Sequence, residues 1–397
     1  MSLLTFYEFF AGGGLARMGL GPSWHCLFAN DIDEKKARVY RRNFAGAPEL
    51  VVADIRQLSS TSLPGQALLA WASFPCQDLS LAGRGQGIHA ERSGTFWAFW
   101  RLMSELAAEG RRVPIIVIEN VTGLLTADEG RSMRALADAL AVAGYRFGAM
   151  VIDAAYFVPQ SRPRLFIVAV HLEWPLPDRL LSSSPHPVWH PSSVLRTYHQ
   201  LSPASCEAWL WWRLPLPDQP RLPLSSIIEL EPTGVQWHSD EETARLLALM
   251  APTHRERIRR VQDSGIPQIG MVYRRMRVEQ GRKVQRAEVR FDGLSGCLRT
   301  PAGGSSRQIL LFVQGNQVRS RLISVREAAR LMGVPDGYWL PDRYNEGYHV
   351  MGDAVVVPVV AWLERHLLRP LAGGDNAREL QSSREEYYEQ QTIDHFL

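Results

Sequence analysis

Short apolar runs alternate with amphipathic stretches along the first 170 residues, and that alternation limits the fold more than any other feature of the chain. LLTFYEFFA, HCLFAND, ELVVADI, ALLAWASF and PIIVIEN read as strands. DEKKARVYRRNF, a Trp/Phe-rich stretch near 96 to 108 and RSMRALADALAVAGY read as helices, and RFGAMVIDA and RLFIVAV close the series as two further strands. Buried strands carry continuous apolar runs whereas a surface helix keeps one apolar stripe, so the order predicts an α/β domain with a doubly wound, Rossmann-like sheet. From His171 to about Pro223 the pattern gives way to Pro, Ser and Trp, and a domain boundary is expected near 171. Further on, SVREAARLMG opens on Ser324 with Glu327 three positions later, the pattern of a capping box, and a last apolar helix is expected from about Val355 to Leu371. The reading is a first domain over 1–170 completed by 345–372, a second domain with its hinge over 171–344, and a polar tail over 373–397 with little apolar surface to hold it in place.

The 397 residues suffice for a large domain and a smaller one, and no apolar run approaches the roughly 20 residues of a membrane span. The first fifteen residues lack the basic start and cleavage site of a signal peptide, so a cytoplasmic protein is expected. Cys26, Cys76, Cys206 and Cys297 lie far apart with no CxxC pair; neither a metal site nor a disulfide framework is expected. The net charge of +3 conceals a strong asymmetry, because His254 to Gln308 holds thirteen Arg or Lys against five acids. Of the 44 basic residues 41 are arginine, the side chain suited to bidentate contacts with phosphates and guanine edges.

FFAGGGLARMG ends the first strand in a glycine-rich turn, where backbone can approach a ligand closely. Counting from Gly12 and Gly14 puts Arg17 where the dinucleotide fingerprint needs its third glycine, so a nucleoside without a pyrophosphate suits the turn better. About twenty residues on, Asn30-Asp31-Ile32-Asp33 supplies an acid able to hold ribose hydroxyls, and Asp54 ends the third strand, placed for an adenine amino group. Such residues are often mere turn and cap positions, but their order favours a nucleoside pocket. The lone Cys76 of WASFPCQDLSLAGRG follows the fourth strand, at the sheet edge where ligands bind. A buried structural thiol is the ordinary alternative, yet Pro75 and the glycines at 83, 85 and 87 describe an exposed turn and a flap. A thiol is the most nucleophilic side chain available, and it needs an acid nearby. Glu119 ends the fifth strand at the same edge, where partial burial would raise its pKa and let it carry a proton at neutral pH.

In this order the motifs FFAGGGL, FAND, ADI, SFPCQ, IENV, PQSRPR, SRLISVREAARLMGVPDGY and MGDAVVVPV resemble those of the cytosine carbon-5 DNA methyltransferases of prokaryotic type, which use S-adenosylmethionine. The resemblance covers roughly 1–172 and 298–372. It implies a methyltransferase sheet with a smaller target-recognition domain, Cys76 as nucleophile with Gln77 beside it, Glu119 as the acid near the cytosine ring nitrogen with Asn120 beside it, and Arg162 and Arg164 around the target base and its phosphate. It implies a cofactor held by Phe10, Ala11, Gly12, Gly14 and Leu15, by Asp31, Ile32, Asp54 and Ile55, and by Pro75, Asp353 and Ala354. The base must leave the duplex stack, and the flap 78–94 is expected to close over it. Some positions depart from the family pattern: Leu15 stands where a third glycine is common, Ile32 where an aromatic often packs on adenine, and Phe157 where a glycine is usual. Asp353 and Ala354 replace Asn and Ser, which bears on the amino-acid end of the cofactor; tuning of affinity is expected, not inactivity.

The intervening region mixes arginines with a glycine-serine loop, in YRRMR, GRKVQRAEVRF and CLRTPAGGSSRQ. DNA contacts are expected from Arg274, Arg275, Arg277, Arg299 and Arg307, from backbone at Gly303 and Gly304, and from Ser80, Arg84 and Gln160. The expected partner is double-stranded DNA, with a restriction endonuclease as a functional companion, the protein acting as a nucleoid-associated monomer. Three other readings compete. An RNA cytosine methyltransferase would share Cys76 and Glu119, but its intermediate region is usually smaller than the roughly 125 residues here. A silent DNA-binding regulator is disfavoured by intact Cys76, Gln77, Glu119 and Asn120, and a nicotinamide oxidoreductase by the missing third glycine.

Overall fold

Seven strands form one sheet in the order β3-β2-β1-β4-β5-β7-β6: β1 (Leu4–Phe9), β2 (Trp24–Asp31), β3 (Leu50–Val52), β4 (Leu69–Ala72), β5 (Ile115–Val121), β6 (Tyr145–Asp153) and β7 (Pro163–His171). The computed structural model describes residues 4–75, 94–218, 221–300 and 307–373. Strands β1 to β5 run parallel, and β7 lies antiparallel between β5 and β6. Helices Leu15–Leu20, Glu34–Asn43 and Val357–Leu363 cover one face, and Thr95–Ala108 and Arg131–Val142 the other, so the sheet is doubly wound as expected. From β1 the chain crosses to β2 on one side and, after β3, returns to β4 on the other. Their carboxyl ends therefore diverge and leave a crevice. Among the described residues no helix is long and apolar enough to cross a membrane.

Beyond 171 the chain stays on this sheet, which differs from the boundary expected there. Strand β6 is an edge whose backbone groups need partners. The Phe147 amide donates to the Ala208 carbonyl (2.9 Å), the Leu210 amide to the Phe147 carbonyl (2.7 Å) and the Val151 amide to the Trp189 carbonyl (2.8 Å). The short strands β8 (Leu181–Ser182) and β9 (Trp211–Trp212) pair beside it, and Trp189 and Trp212 are fully buried in the core of the large sheet. Only Gly148 admits this approach, since a Cβ there would stand 2.2 Å from the Leu210 carbonyl oxygen. The tryptophans of the Pro/Trp-rich segment are thus edge cover for the first domain.

The separate small core begins later. Strands β10 (Gln268–Glu279), β11 (Arg282–Arg290), β12 (Ile309–Gln314) and β13 (Gln317–Leu322) form an antiparallel sheet in the order β11-β10-β12-β13. Leu246, Met250, Ile258 and Val261 of the chain from Asp240 to Ser264, which is largely helical, pack on its Val272, Ala287, Val289 and Leu311. The opposite face gives Met271 and Leu310 to the large core. Helix Val325–Leu331 carries the expected capping box at Ser324 and Glu327, and it too packs in the large core. The last helix is interrupted by a π-helical turn, Glu364–Leu368, where buried Glu364 accepts from Trp24 Nε1 (3.1 Å) and Arg369 Nε (2.8 Å).

A buried ion pair ties the small sheet to the helix Val325–Leu331. Arg321 of β13 and Glu327 are both fully buried, with Nη1 donating to Oε2 (2.7 Å) and Nη2 to Oε1 (2.6 Å), and Glu327 also accepts from the amides of Ser324 and Glu229. Arg321→Met should strand that carboxylate in the interior and lower stability by about 3–5 kcal/mol, the cost of breaking a buried pair on one side. A urea midpoint equal to that of the unaltered protein would contradict this.

Candidate active site

At the carboxyl ends of β1, β2, β4 and β5 lies a cavity of about 420 Å3. Phe10, directly after β1, holds a left-handed backbone (φ 59°), an uncommon and strained state for a side chain of that size, and it lines the cavity with Ala11, Gly12 and Leu15. A Cβ on Gly12 (φ 57°) would meet nothing within 4 Å, so this glycine faces open space. Asp31, at the end of β2, braces the turn: its Oδ2 accepts from the Gly12 amide and its Oδ1 from the Asp33 amide, both at 2.8 Å. Ile32 beside it lines the same cavity and is 67% exposed. Asp353 and Ala354 complete the far wall, where Lys36 Nζ donates to Asp353 Oδ2 (2.7 Å).

The opposite wall carries Glu119, Asn120, Ser73 and Pro75. Glu119 lies two residues before the end of β5, which is buried nearly throughout, and burial pushes its pKa above the usual carboxylate range against the charges of Arg164 and Arg162 and a hydrogen bond with Ser73. Arg164 Nε stands 3.4 Å from its Oε1. Asn120 Nδ2 donates to the Phe74 carbonyl (2.9 Å), which clamps the start of the loop to β5. Pro75, exposed on the wall, is the residue before Cys76. Cys76 and Gln77 themselves lie outside the described residues, as do Ser80, Arg84, Gly303, Gly304 and nearly all of the flap.

A glycine turn, an acid at the second strand, a buried glutamate and Pro75, the residue before Cys76 in the sequence, thus border one cavity, and the profile of C-5 cytosine-specific DNA methylases matches residues 4–369. The chain belongs to that family. Among its relatives, the Type II methyltransferase M.BsuFI of Bacillus subtilis is 27% identical over 363 residues, 90% of this chain and 70% of the relative. M.MspI of a Moraxella species is 24% identical over 369 residues, 89% of this chain and 68% of the relative. Among solved structures, the Dnmt2 methyltransferase of S. pombe (TM-score 0.54, 17% identity, 94% of this chain and 99% of that one) and the Entamoeba histolytica methyltransferase EhMeth (TM-score 0.57, 14% identity, 94% and 99%) share the fold.

Several residues of the methylase stand elsewhere than expected. Gly14 (φ 83°) does not line the cavity; a Cβ there would lie 2.3 Å from the Phe44 ring, so it is a packing glycine. Asp54 caps a short helical turn and binds the backbone and guanidinium of Arg56, while Ile55 is buried in the core, and neither borders the cavity. Arg162 does line the cavity with Arg164 as expected, but it is buried and has both Nη atoms committed: Nη1 donates to the Leu298 carbonyl (2.7 Å), and Nη2 to those of Gly352 (2.9 Å) and Ala354 (2.7 Å). Burial and the charge of Arg164 bring its pKa down to about 10. Gln160, expected at the DNA, is fully buried and joins the Leu331 carbonyl (2.8 Å) to the Leu298 amide (3.0 Å). Of the basic set, Arg299 is exposed, Arg307 lies over the Tyr344 ring, and Arg274 points to the opposite face of β10 from Arg275 and Arg277.

Three neighbours of the cavity escaped the sequence reading. Glu8 is an acid inside the apolar strand FYEFF, a visible signal; it is fully buried on the cavity wall, accepts from the Tyr40 hydroxyl (2.9 Å) and is pushed up to about 7 by burial. Cys297 lies between Arg162 Nη1 (3.4 Å) and Arg164 Nη2 (3.7 Å), whose charges outweigh the effect of burial and leave the thiol below its ordinary pKa. Neither Cys297 nor Lys36 carried any local pattern.

Proposed function

We propose that this methylase transfers a methyl group from S-adenosylmethionine to carbon 5 of a cytosine flipped out of duplex DNA, through an adduct between Cys76 and carbon 6. The observation that carries the reading is the pairing, on one cavity, of buried Glu119 and Pro75, which precedes Cys76 in the sequence, with an open glycine turn braced by Asp31. The residues present fit a nucleoside: Gly12 leaves room for it, Asp31 keeps lone pairs beyond the two that accept backbone amides, and Ile32 offers an apolar surface to a flat ring. Bound there, the cofactor supplies an electrophilic methyl on a sulfonium. Asp353 and Ala354 border the end that would take its amino-acid part.

The remaining chemistry belongs to this chain and the base. Carbon 5 of cytosine is a poor nucleophile until the Cys76 thiolate adds at carbon 6 while Glu119 delivers a proton to the ring nitrogen, which turns the ring into an enamine. After methylation, loss of the carbon 5 proton to solvent expels Cys76 as a thiolate, and the ring nitrogen returns its proton to the Glu119 carboxylate, which restores the aromatic ring and the starting enzyme. Asn120 serves by holding the Phe74 carbonyl and hence the loop that carries the nucleophile. Sequence choice falls to the small sheet and its basic strands, and the Type II names of the relatives support a restriction-modification setting. The protein is proposed to act as a monomer on nucleoid DNA in the cytoplasm.

Incubation with plasmid DNA and labelled cofactor, followed by bisulfite sequencing, should reveal methylcytosine at one short recurrent sequence. Label entering transfer RNA but not DNA, or neither, would overturn the reading.

A further inference from the structure

The distal half of the β10–β11 hairpin leaves its sheet. Strand β12 pairs with β10 only from Gln268 to Val272, so from Tyr273 to Glu279 the hairpin continues as a ribbon of two strands, turning at Gln280 and Gly281, both left-handed (φ 49° and 77°). Residues opposite one another share a face. One face continues Val272, Ala287 and Val289, which the helices of the small core cover. The other continues Met271, which packs in the large core, so it is turned toward the large domain. On that face stand Tyr273, Arg275 and Arg277, opposite Glu288, Arg286 and Val284. The chain leaving β11 runs on beside residues 159–162, where Ser295 exchanges backbone bonds with Pro159 and Ser161 and Leu298 is held by Arg162, itself on the cavity wall.

Glu288 organises this face. Its Oε2 accepts from the Tyr273 hydroxyl (2.7 Å) and lies 3.3 Å from Arg275 Nη2, and its Oε1 accepts from Nε (2.9 Å) and Nη2 of Arg277. The Arg275 guanidinium also stacks over the Tyr273 ring, 4.5 Å from its centre. The carboxylate is sunk, 12% exposed, beneath arginines that are 43% and 47% exposed. An anion in a surface that meets phosphates weakens binding, and loose cations would serve that purpose better. Two guanidinium forks held at fixed angles suit a different target, the paired acceptors of a guanine edge, and a ribbon of two strands fits a major groove about 12 Å wide.

We infer that Glu288 is a positioning residue for sequence choice, holding Arg275 and Arg277 as a rigid pair that reads guanine edges in the major groove beside the target cytosine. The arginines stand opposite residues four to six positions from Arg290. That is roughly 13–20 Å along the ribbon and less than one turn of duplex, about 34 Å. The inference rests on the proposed methylation of duplex DNA.

Bisulfite sequencing first defines the site of the unaltered protein; if DNA is not methylated at all, the functional reading fails and this role with it. Given a site, Glu288→Gln should leave non-specific DNA affinity equal or higher, while the kcat/KM ratio between the cognate duplex and one with a single guanine replaced falls roughly 10-fold or more. Arg275→Lys with Arg277→Lys keeps both charges, loses the forks, and should lose the same discrimination. Higher affinity with discrimination unchanged in both variants would reduce the arginines to phosphate contacts and overturn the inference. A change in oligomeric state on sizing columns, with the methylated site unaltered, would overturn it by making the face a protein contact.

Discussion

Glu119→Gln is expected to slow methyl transfer in a single turnover by roughly 100- to 10,000-fold, the size of a lost general acid, while the Kd for DNA and for cofactor moves little. The amide preserves the shape of the side chain and its place beside Ser73 and Arg164, but it has no proton to deliver to the cytosine ring nitrogen. The structure sets the expected pH behaviour as well. Burial holds the Glu119 carboxyl above the usual range, although Arg164 and Arg162 oppose it. The group must be protonated to act, so the rate of the unaltered enzyme should fall as pH rises through that raised pKa. The Gln variant should lack this limb of the profile. Binding and chemistry are separated by measuring the single-turnover rate at saturating DNA. An unchanged rate there would remove Glu119 from the reaction, whatever happened to KM.

The large sheet was legible because its central strands are buried on both faces, so ALLAWASF and PIIVIEN are apolar almost throughout. The edge was not. Strand β6 finds its partners at Trp189, Ala208 and Leu210, dozens of residues later, and Pro- and Trp-rich composition describes edge cover and a new domain equally well. At the site the residue types were readable but their directions were not. Gly12 and Gly14 look alike in sequence; only the Phe44 and Tyr40 rings, packed from the next helix, make the second a packing glycine. Likewise Gln160 and Arg162 belong to a motif associated with the base, yet the Gln160 amide and both Nη atoms of Arg162 are held by carbonyls and amides of residues 298, 331, 352 and 354, which no local pattern foretells. The alternation of Arg274 against Arg275 and Arg277 follows from strand periodicity alone, once YRRMR is known to be a strand.

Cys76→Ser is expected to abolish methyl transfer and to leave cofactor affinity nearly intact. The serine oxygen is close in size, and Asn120 would still clamp the Phe74 carbonyl two residues upstream. What changes is the chemistry at both ends of the cycle. A thiol with a reference pKa of about 8.5 supplies a few per cent of thiolate at neutral pH, whereas a serine hydroxyl supplies essentially no alkoxide without a base beside it. The adduct must also collapse when the carbon 5 proton leaves, and a thiolate departs far more readily than an alkoxide. Duplex DNA containing 5-fluorocytosine separates these steps, because fluorine blocks the final proton loss and traps the enzyme after methylation. A covalent complex should accumulate on denaturing gels with the unaltered protein and be absent with the serine variant. Turnover above a trace in Cys76→Ser, or a trapped complex that forms without the thiol, would show that another residue attacks carbon 6. Cys297 would then be the first residue to test, since it is a thiol beside the cavity-lining arginines and is held below its ordinary pKa between Arg162 and Arg164.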